Sequence, residues 1–293
     1  MNRTISIIGG GRVGRTLGKR LYRAGWRIGA VVSRSNAHAA AAVRWIGAGT
    51  PRGHLSANDF VSRVILLATP DAAIAAVAKA LSRAGIKDLR GKIVLHTSGA
   101  LDSSVLAPLA RRGAATGSLH PMQTFSGREV PNLKKIIFTI EGAPAARRVA
   151  AQIARQLGGT PVALDARGKA AYHAAGTLVA GHGLALMEAA AQILLKLGFT
   201  RRRALEALLP LMRQMLDNFE RLGPQAAWTG PLARKDYAIV SGHAKALRRY
   251  PREYQAAYAA LAVLSGRVLA KDSPRMIAAT RAAIRSVRSE GRR

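Results

Sequence analysis

Ten residues near the start of the chain decide most of what it can fold into: Ile5-Ser6-Ile7-Ile8-Gly9-Gly10-Gly11-Arg12-Val13-Gly14. A short β-branched run leads into G-x-G-x-x-G, and Arg15 to Ala24 continues with helical spacing. Strand, glycine turn and helix in that order open a βαβ unit that binds a dinucleotide. Gly9 allows the tight turn, Gly11 lets the backbone approach a pyrophosphate, and Gly14 permits close helix packing, with the helix N-terminus facing the anion. Gly9, Gly10, Gly11, Arg12, Val13 and Gly14 are therefore the candidate phosphate cradle, and a glycine-rich turn that binds nothing is the alternative.

Short apolar runs alternate with helical segments up to residue 165. Candidate strands are Ile5 to Ile8, Ile28 to Val32, Val64 to Ala68, Ile93 to His96, Ala115 to Leu119, Ile136 to Ile140 and Pro161 to Leu164. Their inner residues are continuously apolar, as in strands covered on both faces, so an α/β domain with a doubly wound parallel sheet of Rossmann type is expected over 1–165. Pro144 to Leu157, with Gly158-Gly159 behind it, reads as a crossover helix. After Asp165 the β-branched runs vanish, and residues 166–293 are expected to form a second, all-α domain. Its clearest stripe is Leu205, Leu208, Leu209, Met212, Met215, Leu216 and Phe219, with Thr200 as N-cap and a kink expected at Pro210. Further helices are expected at 236–247, 253–270 and 274–289.

The 293 residues suffice for two such cores, and with no cysteine there are no disulfides. Apolar residues at 49% exclude a disordered chain. Lys and Arg total 46 against 15 acidic residues, a net +31 that would attract polyanions. The excess is mostly arginine and spreads over both halves of the chain, whereas a nucleic-acid binder concentrates it on a tail or stripe. Solvated surface is the expectation, and a nucleic-acid-binding protein remains an alternative resting on charge alone. The apolar run before Gly9 is too short for a signal peptide, which leads to the expectation of a cytoplasmic protein. Ala170 to Leu197 contains His173, His182, Glu188 and Gln192, so it reads as a buried helix and no membrane partner is expected.

In an NAD-binding protein a carboxylate closes the second strand and takes the ribose hydroxyls. Here the stretch is Val32-Ser33-Arg34-Ser35, with no carboxylate. Ser33, Arg34 and Ser35 can all donate to a 2′-phosphate, so NADP(H) is the expected cofactor, against Arg34 as ordinary surface charge. Thr69 and Pro70, at the end of the third strand, are expected beside the cofactor. Asp71 is either a cofactor contact or the N-cap of the next helix.

The fourth and fifth strands run into His96-Thr97-Ser98-Gly99-Ala100 and His120-Pro121. Both histidines are expected to face one crevice, where either could supply a proton alongside hydride transfer or be structural. No metal site is expected, because neither has a carboxylate or cysteine at ligand spacing. Lys169, Tyr172 and His173 fall at i, i+3 and i+4 and share a helix side. Lys169 either polarises a carbonyl, or holds a carboxylate, or is a cap-region lysine beside core aromatics. Arg234, in Gly230-Pro231-Leu232-Ala233-Arg234-Lys235-Asp236, either reaches an anionic substrate or belongs to the turn that Asp236 ends as a helix cap.

The glycine loop, His96-x-Ser98-Gly99, His120-Pro121 with Phe125, Lys169-x-x-Tyr172-His173 and Gly230-Pro231-x-x-Arg234-x-Asp236 together resemble the Rossmann-like proteins that carry the C-terminal domain of unknown function 2520. More distantly the chain is similar to pyrroline-5-carboxylate reductases, deazaflavin-dependent NADP reductases and β-hydroxyacid dehydrogenases. The last likeness implies a substrate loop at His96 to Ala100, with Ser98 and Gly99 as substrate contacts, and a catalytic helix lysine at Lys169. The resemblance also implies a homodimer packed through the helical domains. Two departures stand out: Ala180-Gly181 where relatives often carry Ser-Asn, and Lys235 where they tend to have glycine. The expected activity is hydride transfer from NADPH to the C=O or C=N carbon of a small anionic metabolite, with His120, Lys169, His96 and His173 as candidate catalytic groups. A non-catalytic NADP(H)-binding regulator is the alternative.

Overall fold

The computed structural model describes residues 3–56, 61–84 and 88–289. Its chain divides into two compact units, Met1–Gly181 and His182–Arg293, a boundary later than residue 165.

The first unit is built on eight strands: β1 (Thr4–Ile8), β2 (Arg27–Val32), β3 (Thr50–Arg52), β4 (Val64–Leu67), β5 (Ile93–His96), β6 (Ala115–Pro121), β7 (Ile137–Gly142) and β8 (Thr160–Ala163). They form one sheet in the order β3-β2-β1-β4-β5-β6-β7-β8. Helices α1 (Arg12–Arg23), α2 (Asn36–Ile46), α3 (Asp71–Arg83), the short α4 (Ala107–Ala110) and α5 (Pro144–Gln156) connect them. Strand side chains alternate between faces. Ile5, Ile7, Val64 and Leu66 therefore join Leu17 and Leu21 of α1, Ile46 of α2 and Ile153 of α5 in one core. Ile8, Ile65 and Leu67 join Ile74 and Leu81 of α3 in the other.

Two features depart from the sequence expectation. Strand β3 has no counterpart among the expected strands; it is three residues long with Pro51 at its centre, which an edge strand tolerates. Strand β7 runs antiparallel to β6, so the sheet is mostly rather than wholly parallel. Residues 122–136 between them contain no helix, and a parallel return needs a crossover that a helix normally supplies. The order reverses at β1, between β2 and β4, and ligands of such sheets bind at the carboxyl ends of the strands flanking that point. The unit ends with α6 (Lys169–Thr177).

The second unit is helical: α7 (Gly183–Lys196), α8 (Arg201–Ala227), α9 (Tyr237–Ala246), α10 (Arg252–Val268) and α11 (Ser273–Ser289). Thr200 caps α8 by accepting from the Arg203 N–H, and Asp236 caps α9 through Ile239. The break expected at Pro210 falls instead at Gly223, whose φ of 78° leaves the helical region. Glycine reaches that conformation with little strain, while Pro210 sits inside the helix. A small core gathers Val240, Ala262 and Ile284.

The stretch expected as a buried helix is helical but exposed in the single chain. Leu178 is 62% exposed, Val179 78% and Leu184 72%. By length and composition alone the helix 166–196 could cross a membrane, with a mean hydropathy of 1.5.

Candidate functional site

At the carboxyl ends of β1, β2 and β4 lies a cleft of about 720 Å3. Gly9, Gly10, Gly11, Ser33, Arg34, Thr69 and Pro70 of the sequence-predicted set line it. The glycines have distinct reasons. Gly9 has φ 105°, and a Cβ there would stand 2.5 Å from the Ala68 carbonyl oxygen. A Cβ on Gly14 would stand 2.0 Å from the Gly9 oxygen, so that glycine serves helix packing and does not line the cleft. Gly11 has nothing within 4 Å, so no protein neighbour demands glycine there. It sits at the N-cap of α1, which no side chain caps, leaving free N–H groups pointed at open space. Thr69 Oγ1 is a buried hydroxyl oxygen without a partner in the same wall. An open glycine, an uncapped helix end and an orphaned hydroxyl fit a phosphate-bearing ligand.

Other members of the predicted set do different work. Val13 packs against the sheet core, and Arg12 lies exposed. Ser33 Oγ accepts from the Gly10 N–H at 3.1 Å, bracing the loop. Ser35 caps α2 through the His38 N–H and bonds His38 Nδ1 at 2.8 Å. Asp71 is not a cap: Pro70 takes that position, and the Asp71 carboxylate accepts from Ser98 Oγ at 2.8 Å. Sequence reasoning misses Arg15, His38 and His54, which also line the cleft. Arg15 lies 4.5 Å from the Trp45 ring and donates to the Gly127 carbonyl. Its position four residues after Gly11 is the available signal, since i and i+4 share a helix face. His54 arrives on the segment after β3, which no local pattern announces.

A second cleft, of about 590 Å3, is lined by His120, Gln123, Thr124, His173 and the backbone of Gly176 and Gly181. It adjoins the π-helical turn Leu178–His182, where the departure Ala180-Gly181 falls. His120 Nδ1 is 2.9 Å from the Tyr172 hydroxyl, and its ring stands edge-on to His173 with centroids 6.0 Å apart. A Cβ on Gly99 would be 2.8 Å from His120 Nε2 and 2.7 Å from His173 Cδ2, so any larger residue there would push the two rings out of place. The i, i+3, i+4 spacing does bring Lys169, Tyr172 and His173 to one side of α6, facing the ends of β5 and β6.

His96 does not face this cleft. It is fully enclosed, its Nδ1 accepting from the Ser98 N–H at 3.2 Å and its Nε2 lying 3.2 Å from the Asp102 carbonyl. Both ring nitrogens are spent on the turn that folds over it, so no proton passes between His96 and a ligand in this arrangement. Ser98 is likewise committed: besides Asp71, its Oγ accepts from the N–H groups of Ala100 and Leu101. Lys169 is 1% exposed and donates to the Ser98 carbonyl at 3.0 Å and to Ser118 Oγ at 2.9 Å. Arg234 lies exposed in the second unit, in the turn its N–H closes onto the Gly230 carbonyl.

Burial, and after it the Lys169 ammonium, lowers both His96 and His120 from the usual 6.5 to about 4. Burial also lowers Lys169, opposed by Glu141, Asp102 and Asp71. For His96 the consequence is a pH dependence of stability. The unfolded chain takes up its proton near 6.5 and the folded chain only near 4, so between those values the unfolded state binds more protons. Stability is therefore expected to fall as pH drops through that window, by roughly 3 kcal/mol for this group. Urea unfolding from pH 7 to 4 measures the slope, and His96→Gln should remove about half of what the two histidines contribute, because His120 is lowered to the same value.

The family models match in two blocks: a Rossmann-like domain over residues 2–121 and a domain of unknown function 2520 over 136–264. No curated protein matches the chain in sequence. Among solved structures, a candidate NADP oxidoreductase from Bacteroides fragilis is 24% identical over 89% of this chain and 96% of its own, with a TM-score of 0.71. A reductive aminase from Aspergillus terreus, solved with NADPH and ethyl-5-oxohexanoate, is 18% identical over 99% and 95%, with a TM-score of 0.64. A pyrroline-5-carboxylate reductase from Coxiella burnetii is 16% identical over 99% and 98%, with a TM-score of 0.59. At such identities the likeness is one of fold. The chain thus joins an N-terminal Rossmann-like domain to a largely helical domain of unknown function 2520.

Proposed function

We propose that the protein is an NADP(H)-dependent oxidoreductase that reduces the C=O or C=N carbon of a small molecule. The observation that carries the reading is the glycine-loop cleft: Gly11 and the uncapped α1 terminus would hold the pyrophosphate, and Arg34 in the same wall would take the 2′-phosphate. The hydride chemistry belongs to the cofactor when bound. The chain's own part is to orient the substrate and, for a carbonyl, to hold a proton at His120. Within the second cleft the wall offers His120, His173, Gln123, Thr124 and Thr177 as polar side chains and, among the described residues, no lysine or arginine, which favours an uncharged carbonyl or imine over the anionic metabolite expected from sequence. The reductive aminase solved with ethyl-5-oxohexanoate, and an imine reductase from the same organism, support the same class. Parallel titration with NADPH and NADH, followed by thermal stabilisation and nicotinamide fluorescence, tests the reading. Binding of neither overturns it, and NADPH binding without turnover across a ketone and imine panel reduces it to a cofactor sensor.

The exposed apolar helices complete the proposal. Leu184 of α7 and Leu211 and Leu216 of α8 are exposed apolar side chains on long helices, the kind of surface a second copy would cover, which supports the homodimer expected from the resemblance. Light scattering should return twice the 31.0 kDa of one chain, and Leu184→Arg should shift the species toward monomer. A cytoplasmic location belongs to the same proposal and is checked by cell fractionation.

A further inference from the structure

We propose that Lys169 is a positioning residue and not a proton donor: its buried ammonium ties the Ser98–Gly99 turn after β5 to Ser118 on β6, and so sets the backbone on which His120 and His173 meet. The inference deepens the reductase reading and rests on it.

The geometry is closed on every side. Lys169 and Ser118 are both buried, and two of the three ammonium N–H groups are spent, on the Ser98 carbonyl and on Ser118 Oγ. The far side of the turn is held by Asp71 through Ser98 Oγ. Just beyond it, Glu141 accepts from both the N–H and the hydroxyl of Ser103, and Asp102 accepts from the Ser104 N–H. A buried cation persists only where it is hydrogen-bonded and compensated. These three carboxylates supply the compensating charge around Lys169. A proton donor has to come within about 2.6–3.2 Å of the reacting atom. Lys169 has no place in the wall of the cleft that His120 and His173 line.

What the clamp fixes is the position of Gly99. Its Cα lies so close under both imidazoles that a Cβ would overlap them, so a shift of the turn displaces the two histidines that line the cleft. The fixed charge has a second consequence. His120 faces Lys169, His173, His96, Asp71 and the Tyr172 hydroxyl. Burial first, then Lys169, then His173 keep its ring uncharged down to about pH 4, against the pull of Asp71. Lys169 thereby maintains His120 as a neutral hydrogen-bonding group across the physiological range.

Reductive methylation of the folded wild-type chain, read by peptide mass spectrometry, comes first. Lys169 should react on the order of tenfold or more slowly than the exposed Lys134 and Lys271, because labelling requires local opening. Equal labelling overturns the proposal. In Lys169→Met, NMR titration of His120 should rise part of the way from about 4 toward 6.5, since burial remains. Its kcat should fall about 10²-fold through misplacement of the turn. Lys169→Arg, which retains the charge, should leave His120 titrating low and recover part of the rate. An unmoved His120 titration in folded Lys169→Met overturns the proposal. Should that variant not fold, Ser118→Ala keeps the charge and removes one tether: kcat should drop with His120 unshifted, and an unchanged kcat counts against the clamp. Labelling and NMR use no cofactor, so failure to bind NADPH would remove the reductase reading while leaving both Lys169 results intact.

Discussion

Changing His120 to alanine is expected to lower kcat on a ketone by about 10²- to 10³-fold, the usual contribution of a hydrogen-bond donor aimed at a developing oxyanion. NADPH affinity should stay unchanged, because the cleft that holds His120 and the glycine-loop cleft share no lining residue. The ring is placed from two directions, by the Tyr172 hydroxyl at Nδ1 and by the edge-on contact with His173. With a pKa near 4 it is uncharged at neutral pH. If Tyr172 donates to Nδ1, the remaining proton sits on Nε2, the nitrogen above Gly99. From there a neutral N–H can polarise a carbonyl and follow the developing alkoxide. A preformed iminium already carries its proton, so its reduction should suffer less from His120→Ala than reduction of a ketone. Steady-state kinetics on both substrates, beside NADPH binding by fluorescence, separate the two effects. Full activity on ketones in the variant would sink the assignment. The pH profile should show no His120 limb between pH 5 and 8, and a loss only toward 4, because the group stays neutral above its lowered pKa.

The parts of this site legible in the sequence are those encoded by neighbours along the chain. Gly9, Gly11 and Gly14 announce a tight turn and an open helix start, and the apolar runs of β1, β4 and β5 announce strands covered on both faces. The i, i+3, i+4 spacing by itself puts Lys169, Tyr172 and His173 on one side of a helix. Long-range events leave no such trace. His96 reads as a partner of His120, yet the Ser98–Asp102 turn folds back on it and takes both its nitrogens. Lys169 reads as a cap or cleft lysine, because its burial depends on carboxylates at positions 71, 102 and 141 that converge only in the fold. The direction of β7 is decided by a connection without a helix, and His54 reaches the cleft on a segment with no periodic signal. The apolar pattern of residues 170–197 demands burial, but one copy of the chain does not supply the cover.

Arg34→Asp is expected to reverse the cofactor preference. Arg34 stands in the cleft wall at the end of β2, where a carboxylate would otherwise take the ribose hydroxyls. A charge-assisted hydrogen bond to the 2′-phosphate contributes about 1.5–3 kcal/mol, so its loss alone weakens NADPH roughly ten- to hundredfold. Aspartate adds like-charge repulsion toward a phosphate and carries the total to about 10²-fold or more. NADH has no 2′-phosphate, so its affinity should hold or improve as the introduced carboxylate accepts from the ribose hydroxyls. Arg34→Lys keeps the charge without the planar fork and should fall between the two. The deciding quantity is the ratio of NADPH to NADH dissociation constants, measured at fixed ionic strength because exposed charges are screened within about 8 Å at physiological salt. A ratio unchanged in Arg34→Asp would make Arg34 ordinary surface charge. Recognition of the phosphate would then fall to Arg15, His38 and His54 in the same wall, and replacing those residues would have to collapse the ratio instead.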